Sequence, residues 1–229
     1  MSSTLKDDSL SEFDGWSDSY DASILQKLLF VPSHNFILGE IGDAALRPFR
    51  LLDIGCGTGN FVRRVLKEHP VAEVWGLDFS RKMIAAGRQR IAGSESRIQF
   101  VQADSESLPL DDNKFDLVTC SNSFHHYPNQ AAAVFEMYRV LRPGGRLMII
   151  DGYRDRIWGR FIFDVCVVAV EGAVHHASAR RFRELFHEAG FTGVRQQAQL
   201  GLAPFLLTVG TAMKHAATPG TSLPSGAAA

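Results

Sequence analysis

Three glycines at alternate positions are the first feature of this chain that could do chemistry. Gly55, Gly57 and Gly59 directly follow the apolar run 50–54. Glycine lets the backbone turn sharply and lets a ligand approach without meeting a Cβ atom. The helix that follows offers unpaired N–H groups to the same ligand. We therefore predict that this loop binds a nucleotide-like ligand.

The spacing of the glycines argues against two common nucleotide loops. A dinucleotide fingerprint, G-x-G-x-x-G, requires glycine at its sixth position, where this chain has Asn60. A phosphate loop of the form G-x-x-x-x-G-K-S/T cannot be placed in the chain either. The expected ligand is therefore neither NAD nor ATP.

Aspartates end three successive predicted strands. Asp53 lies two residues before the loop, where a ligand ammonium or the N–H groups of the loop would keep its carboxylate ionised. Asp78 ends the second strand, at the edge where ribose hydroxyls lie in a Rossmann-like sheet, and its two oxygens can accept both hydroxyls. Asp104 ends the third strand, where an adenine amino group could be met. Together the three acids predict a nucleoside cleft.

Strands and helices must alternate to position these residues. The predicted strands are 50–54, 73–77, 98–101, 115–120, 146–150, 193–199 and 204–211. A helical pattern containing Phe61 follows the glycines, and further helices are predicted at 81–91, 130–141 and 179–189. Such alternation implies a mostly parallel sheet that is covered on both faces. The predicted fold class is α/β, a Rossmann-like doubly wound sheet.

One domain is expected from a length of 229 residues. We predict a disordered lead over 1–12, a single domain over 13–215 and a disordered tail over 216–229. The domain begins with an N-terminal helical cap over 13–48, in which Pro32 separates two helices.

Composition limits the classes of function. Lys+Arg 24 against Asp+Glu 25 gives a net charge of -1, which disfavours binding to nucleic acid. The three cysteines are odd in number and widely spaced, which favours reduced thiols and a cytoplasmic location. The longest apolar stretch, 161–170, has about half the ~20 residues that span a bilayer, so no integral membrane segment is expected.

Six segments in order resemble the class I S-adenosylmethionine-dependent methyltransferases, specifically the small-molecule group often called type 11. These segments are LLDIGCGTGN at 51–60, GLDFS at 76–80, QADSESLPL at 102–110, FDLVTCSNSFHHYPN at 115–129, RVLRPGGRLMI at 139–149 and EAGF at 188–191. The ubiquinone and menaquinone biosynthesis methyltransferases are a near look-alike. Their N-terminal pattern is similar to Phe13-Asp14 and Tyr20-Asp21 of this chain, and the similarity becomes weak after Asp21.

The resemblance implies a seven-stranded sheet with an antiparallel last strand and S-adenosyl-L-methionine as cofactor. The residues implied around its methionine moiety are Asp53, Gly55, Gly57 and Gly59, with Cys56 a small residue beneath the ligand. Asp78 would hold the ribose. The residues implied at the adenine are Phe79, Met83, Asp104 and Ser105. Tyr20 would close over the cofactor, and Ser121 would line the cleft near the sulfonium.

Two adjacent histidines follow the fourth predicted strand. His125 and His126 fall where acceptor meets cofactor, and a histidine there could remove a proton from the acceptor. We single out His126 as the candidate base, for which activity should rise with pH through a pKa near ~6.5. The alternative is a packed, capping or acceptor-lining role for one of them, before the helix that follows Pro128.

A metal site is not predicted. His175 and His176 form a second pair, and Cys120 or Cys166 could complete a zinc site with them. Adjacent histidines cannot easily both ligate one tetrahedral ion, and the chain has no C-x-x-C or H-x-x-x-H spacing.

The function predicted from the resemblance is methyl transfer from S-adenosylmethionine to a small, partly apolar acceptor by in-line displacement. Two alternatives stay open. One is a non-catalytic cofactor-binding protein that regulates or scaffolds a partner; the other is an NAD-dependent oxidoreductase, which Asn60 argues against. The sequence leaves open the acceptor molecule, the acceptor atom and the oligomeric state.

Overall fold

The computed structural model describes residues 30–42, 47–91, 95–155, 159, 175–200 and 204–214. Its helices are α1 (Val31–Ile41), α2 (Asn60–Glu68), α3 (Arg81–Arg90), α4 (Gln130–Val140) and α5 (Ala179–Glu188). Its strands are β1 (Phe49–Ile54), β2 (Ala72–Asp78), β3 (Ile98–Gln102), β4 (Phe115–Ser121), β5 (Leu141–Gly152), β6 (Phe191–Gln199) and β7 (Phe205–Ala212). A short 3₁₀ turn, Phe124–His126, lies between β4 and α4.

The seven strands form one sheet in the order β3-β2-β1-β4-β5-β7-β6. The pairs from β3 to β5 are parallel, and β7 is antiparallel to both of its neighbours, β5 and β6. The predicted fold class and the antiparallel last strand are therefore confirmed.

Apolar side chains cover both faces of the sheet. One cluster joins α1, α2 and α3 to the sheet through residues such as Ile37, Val62 and Ile84. The other cluster joins α4 and α5 to the opposite face through residues such as Met137 and Phe186. Each helix contributes its apolar side to the sheet, which is the packing that a doubly wound fold requires.

Polar side chains start three of the helices. Ser80 accepts a hydrogen bond from the Met83 amide at 3.2 Å and begins α3. Asn129 and Ser178 cap α4 and α5 in the same way. Each cap satisfies an amide that the first turn of a helix leaves without a partner.

The predicted bounds need two main corrections. β5 begins at Leu141 rather than at residue 146, because Leu141 already pairs with Phe115 before a register shift toward Leu117. β6 begins at Phe191 rather than at residue 193, since Phe191 pairs with Ala212. Within the predicted cap, Pro32 lies in the first turn of α1, where its missing N–H has no cost.

The helices in the described ranges are all too short or too polar to cross a membrane.

Candidate functional site

The strand order changes direction between β1 and β4, and both strands end at the same edge of the sheet. In open parallel sheets, ligands bind in the crevice outside the carboxyl ends of the strands at such a point. The glycine loop follows β1, and the two adjacent histidines follow β4. This edge therefore brings the glycine loop and the histidines to one crevice.

The three glycines of the loop serve different purposes. All three have positive φ, but a Cβ at Gly57 would meet nothing within 4 Å. A Cβ at Gly55 would lie 2.2 Å from Ser123 Oγ, and one at Gly59 would lie 3.0 Å from Ile91 Cδ1. Packing against the protein itself therefore already requires glycine at Gly55 and Gly59, and contact of the three glycines with a ligand remains a prediction. Gly57 alone faces open space.

Asp78 joins the loop to the end of β2. Its Oδ2 accepts the Gly57 amide at 2.8 Å, and its Oδ1 accepts the Ser80 amide at 2.9 Å. Burial raises the pKa of this carboxyl, although the amide hydrogen bonds oppose the shift. The carboxylate is therefore held by backbone amides of the loop and of the residues that follow β2.

The Asp53 carboxylate accepts a hydrogen bond from a neighbouring strand, and not from the N–H groups of the loop, which were one of its two predicted partners. The loop amide donates to Asp78, whereas Asp53 Oδ1 accepts the Thr119 hydroxyl at 2.8 Å. Asp53 pairs with Thr119 in the register of β1 and β4, so the two side chains lie on the same face of the sheet, and Asp53 is 2% exposed. Burial raises its pKa to about 7, while Thr119 lowers it and Asp78 raises it further.

Cys56 is buried in the loop, as expected for a small residue beneath a ligand. Burial, followed by the nearby carboxylates of Asp78 and Asp53, raises the pKa of its thiol well above the ordinary value. A thiol held protonated in this way is a poor nucleophile.

The residues implied at the adenine follow β2 and β3. The Ala103 amide donates to the Asp78 carbonyl at 3.1 Å, so these two strand ends are joined directly. Phe79 is 40% exposed, whereas Met83 is 2% exposed and Ser105 is buried. Contact of these side chains and of Asp104 with an adenine remains a prediction.

Arg139 on α4 fixes the loop that carries Asp104. It donates to the Leu108 carbonyl at 2.9 Å and to the Leu110 carbonyl at 2.8 Å. Glu136 accepts from Arg139 at 2.7 Å and from the Leu108 amide at 2.7 Å. The hydrogen bond from Arg139 is the main reason that the pKa of Glu136 is lowered.

The end of β4 is linked to α1. Asn122 has a positive φ of 53° and donates through Nδ2 to Ser33 Oγ at 2.7 Å and to Ser121 Oγ at 3.1 Å. Ser121 is partly exposed at the crevice edge, and its predicted place near the sulfonium remains a prediction.

His125 lies in the 3₁₀ turn and contacts a residue that the sequence reasoning missed. Its Nδ1 is 2.7 Å from Oδ1 of Asp151, the penultimate residue of β5. His176 Nδ1 lies 3.5 Å from the same oxygen. The ring centroids of His125 and His126 are 4.2 Å apart. Burial, followed by repulsion from His125, lowers the pKa of His126 well below its ordinary value, so the expected pKa near ~6.5 is wrong for this residue.

Tyr20 lies outside the described residues. Among those described, the strand-end rule brings the glycine loop, Asp53, Asp78 and the histidines to one edge. The sequence reasoning missed Thr119 and Asp151, although Asp151 directly follows the predicted strand 146–150 just as Asp78 follows 73–77. The position of Asp151 directly after a predicted strand is the sequence feature that could have identified it.

Comparison with known proteins gives several matches. A family model described as a methyltransferase domain matches residues 52–149. A demethylmenaquinone methyltransferase of Thermus thermophilus is 38% identical over 104 residues, which are 45% of this chain and 47% of that protein. A ubiquinone/menaquinone biosynthesis C-methyltransferase of Methylobacterium nodulans is 32% identical over 188 residues, with 72% of this chain and 74% of that protein covered.

In structure, the chain is similar to a SAM-dependent methyltransferase from Thermotoga maritima. The TM-score is 0.72 at 21% identity, with 89% of this chain and 99% of that chain covered. The chain spans about half the length of the Thermus relative and about three quarters of the Methylobacterium one.

Proposed function

Because this chain belongs to the class I S-adenosylmethionine-dependent methyltransferase family that includes the ubiquinone and menaquinone biosynthesis enzymes, we propose that it methylates a small quinol-like acceptor. The acceptor class is taken from the names of the curated relatives, which act in quinone biosynthesis. The structural observation that supports the cofactor part of the proposal is Asp78, whose carboxylate accepts amides from both the glycine loop and the start of α3.

The residues of the crevice fit the cofactor. The open space beside Gly57 admits a ligand against bare backbone. Asp78, at the end of β2, offers a carboxylate acceptor to ribose hydroxyls. Asp53 lies one strand away with a pKa of about 7, so a ligand ammonium would favour its ionised form. A cationic amino-acid end and a ribose therefore suit the two ends of this cleft.

When bound, the cofactor supplies a methyl group that its sulfonium already activates. The protein then needs to align the acceptor with that methyl group, exclude water and take up the proton that the acceptor loses. Alignment is assigned to the edge formed by the glycine loop and the end of β4. Proton uptake is assigned to the histidines of the 3₁₀ turn, of which His125 carries the Asp151 contact.

A direct assay tests this function. The full chain is incubated with methyl-labelled S-adenosylmethionine and a reduced, unmethylated naphthoquinol or benzoquinol under anaerobic conditions. We expect labelled quinol and S-adenosylhomocysteine in equal amounts. Cofactor binding without label in any quinol would overturn the acceptor class. Cofactor binding without turnover of any acceptor in cell metabolite fractions would overturn catalysis and favour a regulatory binder.

A further inference from the structure

Two imidazoles, those of His125 and His176, lie against one buried carboxylate, and the ring of His126 packs on that of His125. His125, His176 and Asp151 are 5%, 6% and 2% exposed. The ring of His125 lies between the other two imidazoles, 4.2 Å from His126 and 4.4 Å from His176 between centroids. Backbone contacts hold the cluster together, because the His175 amide donates to the His125 carbonyl at 2.8 Å.

Asp151 is fixed as an ionised acceptor. Its Oδ2 accepts the His125 amide at 2.9 Å, and its Oδ1 accepts the Gly152 amide at 2.7 Å. Burial by itself would raise the pKa of this carboxyl, but His125 and His176 outweigh burial and hold the pKa well below its usual range. An ionised carboxylate only accepts hydrogen bonds, so the 2.7 Å contact requires a proton on His125 Nδ1.

A proton on Nδ1 decides the chemistry of the other ring nitrogen. In neutral imidazole, one nitrogen donates and the other accepts, and the hydrogen bond at one sets the state of the other. His125 Nε2 is therefore the basic nitrogen. When Nε2 takes a proton, the imidazolium is stabilised by Asp151 at hydrogen-bond distance.

We propose that His125 is the proton acceptor of the reaction and that Asp151 is its positioning residue. This inference rests on the proposed methyl transfer. The O–H bond of the acceptor breaks and its proton moves to His125 Nε2. The electron pair stays on the acceptor, which forms the new bond to the methyl carbon while the carbon–sulfur pair leaves with sulfur. If a ring carbon forms the bond, that carbon releases its proton to water and the imidazolium returns its own to the oxygen.

The charges around His125 favour it over His126. Asp151 directly contacts His125, whereas burial and repulsion from His125 lower the pKa of His126. The titratable and charged groups near the cluster in the described part of the chain include His176, the adjacent His175, the buried Cys120 thiol, which interacts with Asp151, and Arg154, whose guanidinium donates to the His176 carbonyl at 3.1 Å. The carboxylate is thus shared by His125 at 2.7 Å and His176 at 3.5 Å, and the shorter contact assigns the proton-accepting role to His125.

The first test reads the tautomer without any turnover. In a pH titration of the full-length chain labelled with ¹⁵N-histidine, with His125→Gln used for assignment, His125 should keep its proton at Nδ1, and the proton that it loses as the pH rises should leave Nε2. A His125 protonated only at Nε2 would overturn the proposal. Because the tautomer is read on the wild-type chain, this test does not depend on whether an Asp151 variant folds.

The second test uses Asp151→Asn with Asp116→Asn as matched control. Asp116 loses the same charge on β4, where it pairs with Arg142 away from the histidines. Asp151→Asn should lower kcat by ~10²-fold or more and move the acid limb of the pH profile to lower pH, because the imidazolium loses its counter-charge. S-adenosylhomocysteine affinity should stay unchanged in both variants, and Asp116→Asn should keep the wild-type profile.

Three further outcomes would count against the proposal or against the function on which it rests. An unchanged pH profile in folded Asp151→Asn would overturn the positioning role. Added Zn²⁺ that raises the Tm of the wild type but not of Asp151→Asn would make the cluster a metal site and also overturn the proposal. Absence of S-adenosylhomocysteine binding by the wild type would instead defeat the proposed function, while leaving the tautomer result intact.

Discussion

Thr119 donates its hydroxyl to Oδ1 of Asp53 across 2.8 Å, from the position on β4 that pairs with Asp53 on β1. The carboxylate of the candidate cofactor site is therefore held by a side chain of the neighbouring strand and is buried. This placement makes Asp53 costly to ionise, with a pKa raised chiefly by burial to about 7.

The stability of the cofactor-free protein should depend on pH through the ionisation of Asp53. The folded pKa lies above the unfolded value of ~3.9, so the folded state binds the extra proton and stability falls as pH rises from ~4 to ~7. Asparagine does not ionise, so Asp53→Asn should not lose stability over this pH range. Urea unfolding should show Asp53→Asn more stable than the wild type at pH 8, by at most on the order of 4 kcal/mol, and similar to it at pH 4.

The same variant should bind S-adenosylhomocysteine more weakly, because it lacks the charge that meets the ligand ammonium. Thr119→Ser, which keeps the hydroxyl, serves as the matched control and should change neither property much. Equal pH dependence of unfolding in Asp53→Asn and wild type would contradict the burial-raised pKa.

Asp78→Ala should weaken S-adenosylhomocysteine binding at least ~10-fold while the chain stays folded, since hydrogen bonds to a charged acceptor contribute ~1.5–3 kcal/mol each. Glu73→Ala is the control on the same strand, because Glu73 forms an exposed pair with Arg50 that contributes little. Calorimetry that finds equal affinity in both variants would remove Asp78 from the ribose site.

Gly57→Ala and Gly193→Ala together distinguish the effect of backbone strain from the effect of a Cβ atom in the space for the ligand. Gly57 has φ 53° and Gly193 has φ 59°, and a Cβ at either would meet nothing within 4 Å. Both alanine variants should therefore lose a similar ~1–2 kcal/mol of stability. Only Gly57→Ala should lose cofactor affinity in a binding titration; equal loss of affinity in Gly193→Ala would show that strain alone is the cause.

Arg139→Gln should loosen the loop that carries Asp104. The arginine donates to the carbonyls of Leu108 and Leu110, so the variant should expose the Leu108 amide to faster hydrogen exchange and weaken cofactor binding several-fold. Arg180→Gln is the control, since Arg180 is 85% exposed on α5. Unchanged exchange at Leu108 would indicate that Glu136 alone fixes the loop.

His126→Ala tests the residue that the sequence pointed to first. Its lowered pKa keeps it neutral at physiological pH, so the acid limb of the pH profile should not shift in the variant. We expect a raised KM for the acceptor, with kcat and cofactor affinity nearly unchanged. A loss of kcat by ~10²-fold or more at constant KM would instead identify His126 as the base.

The fold could be predicted closely because its signals are local. Apolar runs, glycines and helical periodicity placed every described strand and the helices after it, with errors mostly at the ends. The start of β5 at Leu141 was missed, since its pairing with Phe115 precedes a register shift that no local pattern encodes.

The candidate site could be predicted only in part, because several of its contacts depend on which strands are neighbours in the sheet. Asp53 and Asp78 could be found because the carboxyl ends of parallel strands meet at one edge. Their partners could not, because contact between Asp53 and Thr119 depends on β1 lying beside β4, which chain order does not state. His176 reaches Asp151 from a segment beyond the last parallel strand, which explains why the histidine cluster was missed.

Calorimetric titration of the full chain with S-adenosylhomocysteine, and in parallel with NAD and ATP, tests the cofactor site independently of any acceptor. Saturable binding of S-adenosylhomocysteine at one site per chain is expected, lost in Gly57→Ala and retained in Gly193→Ala, with no binding of NAD or ATP. Saturable binding of NAD with none of S-adenosylhomocysteine would contradict the methyltransferase assignment.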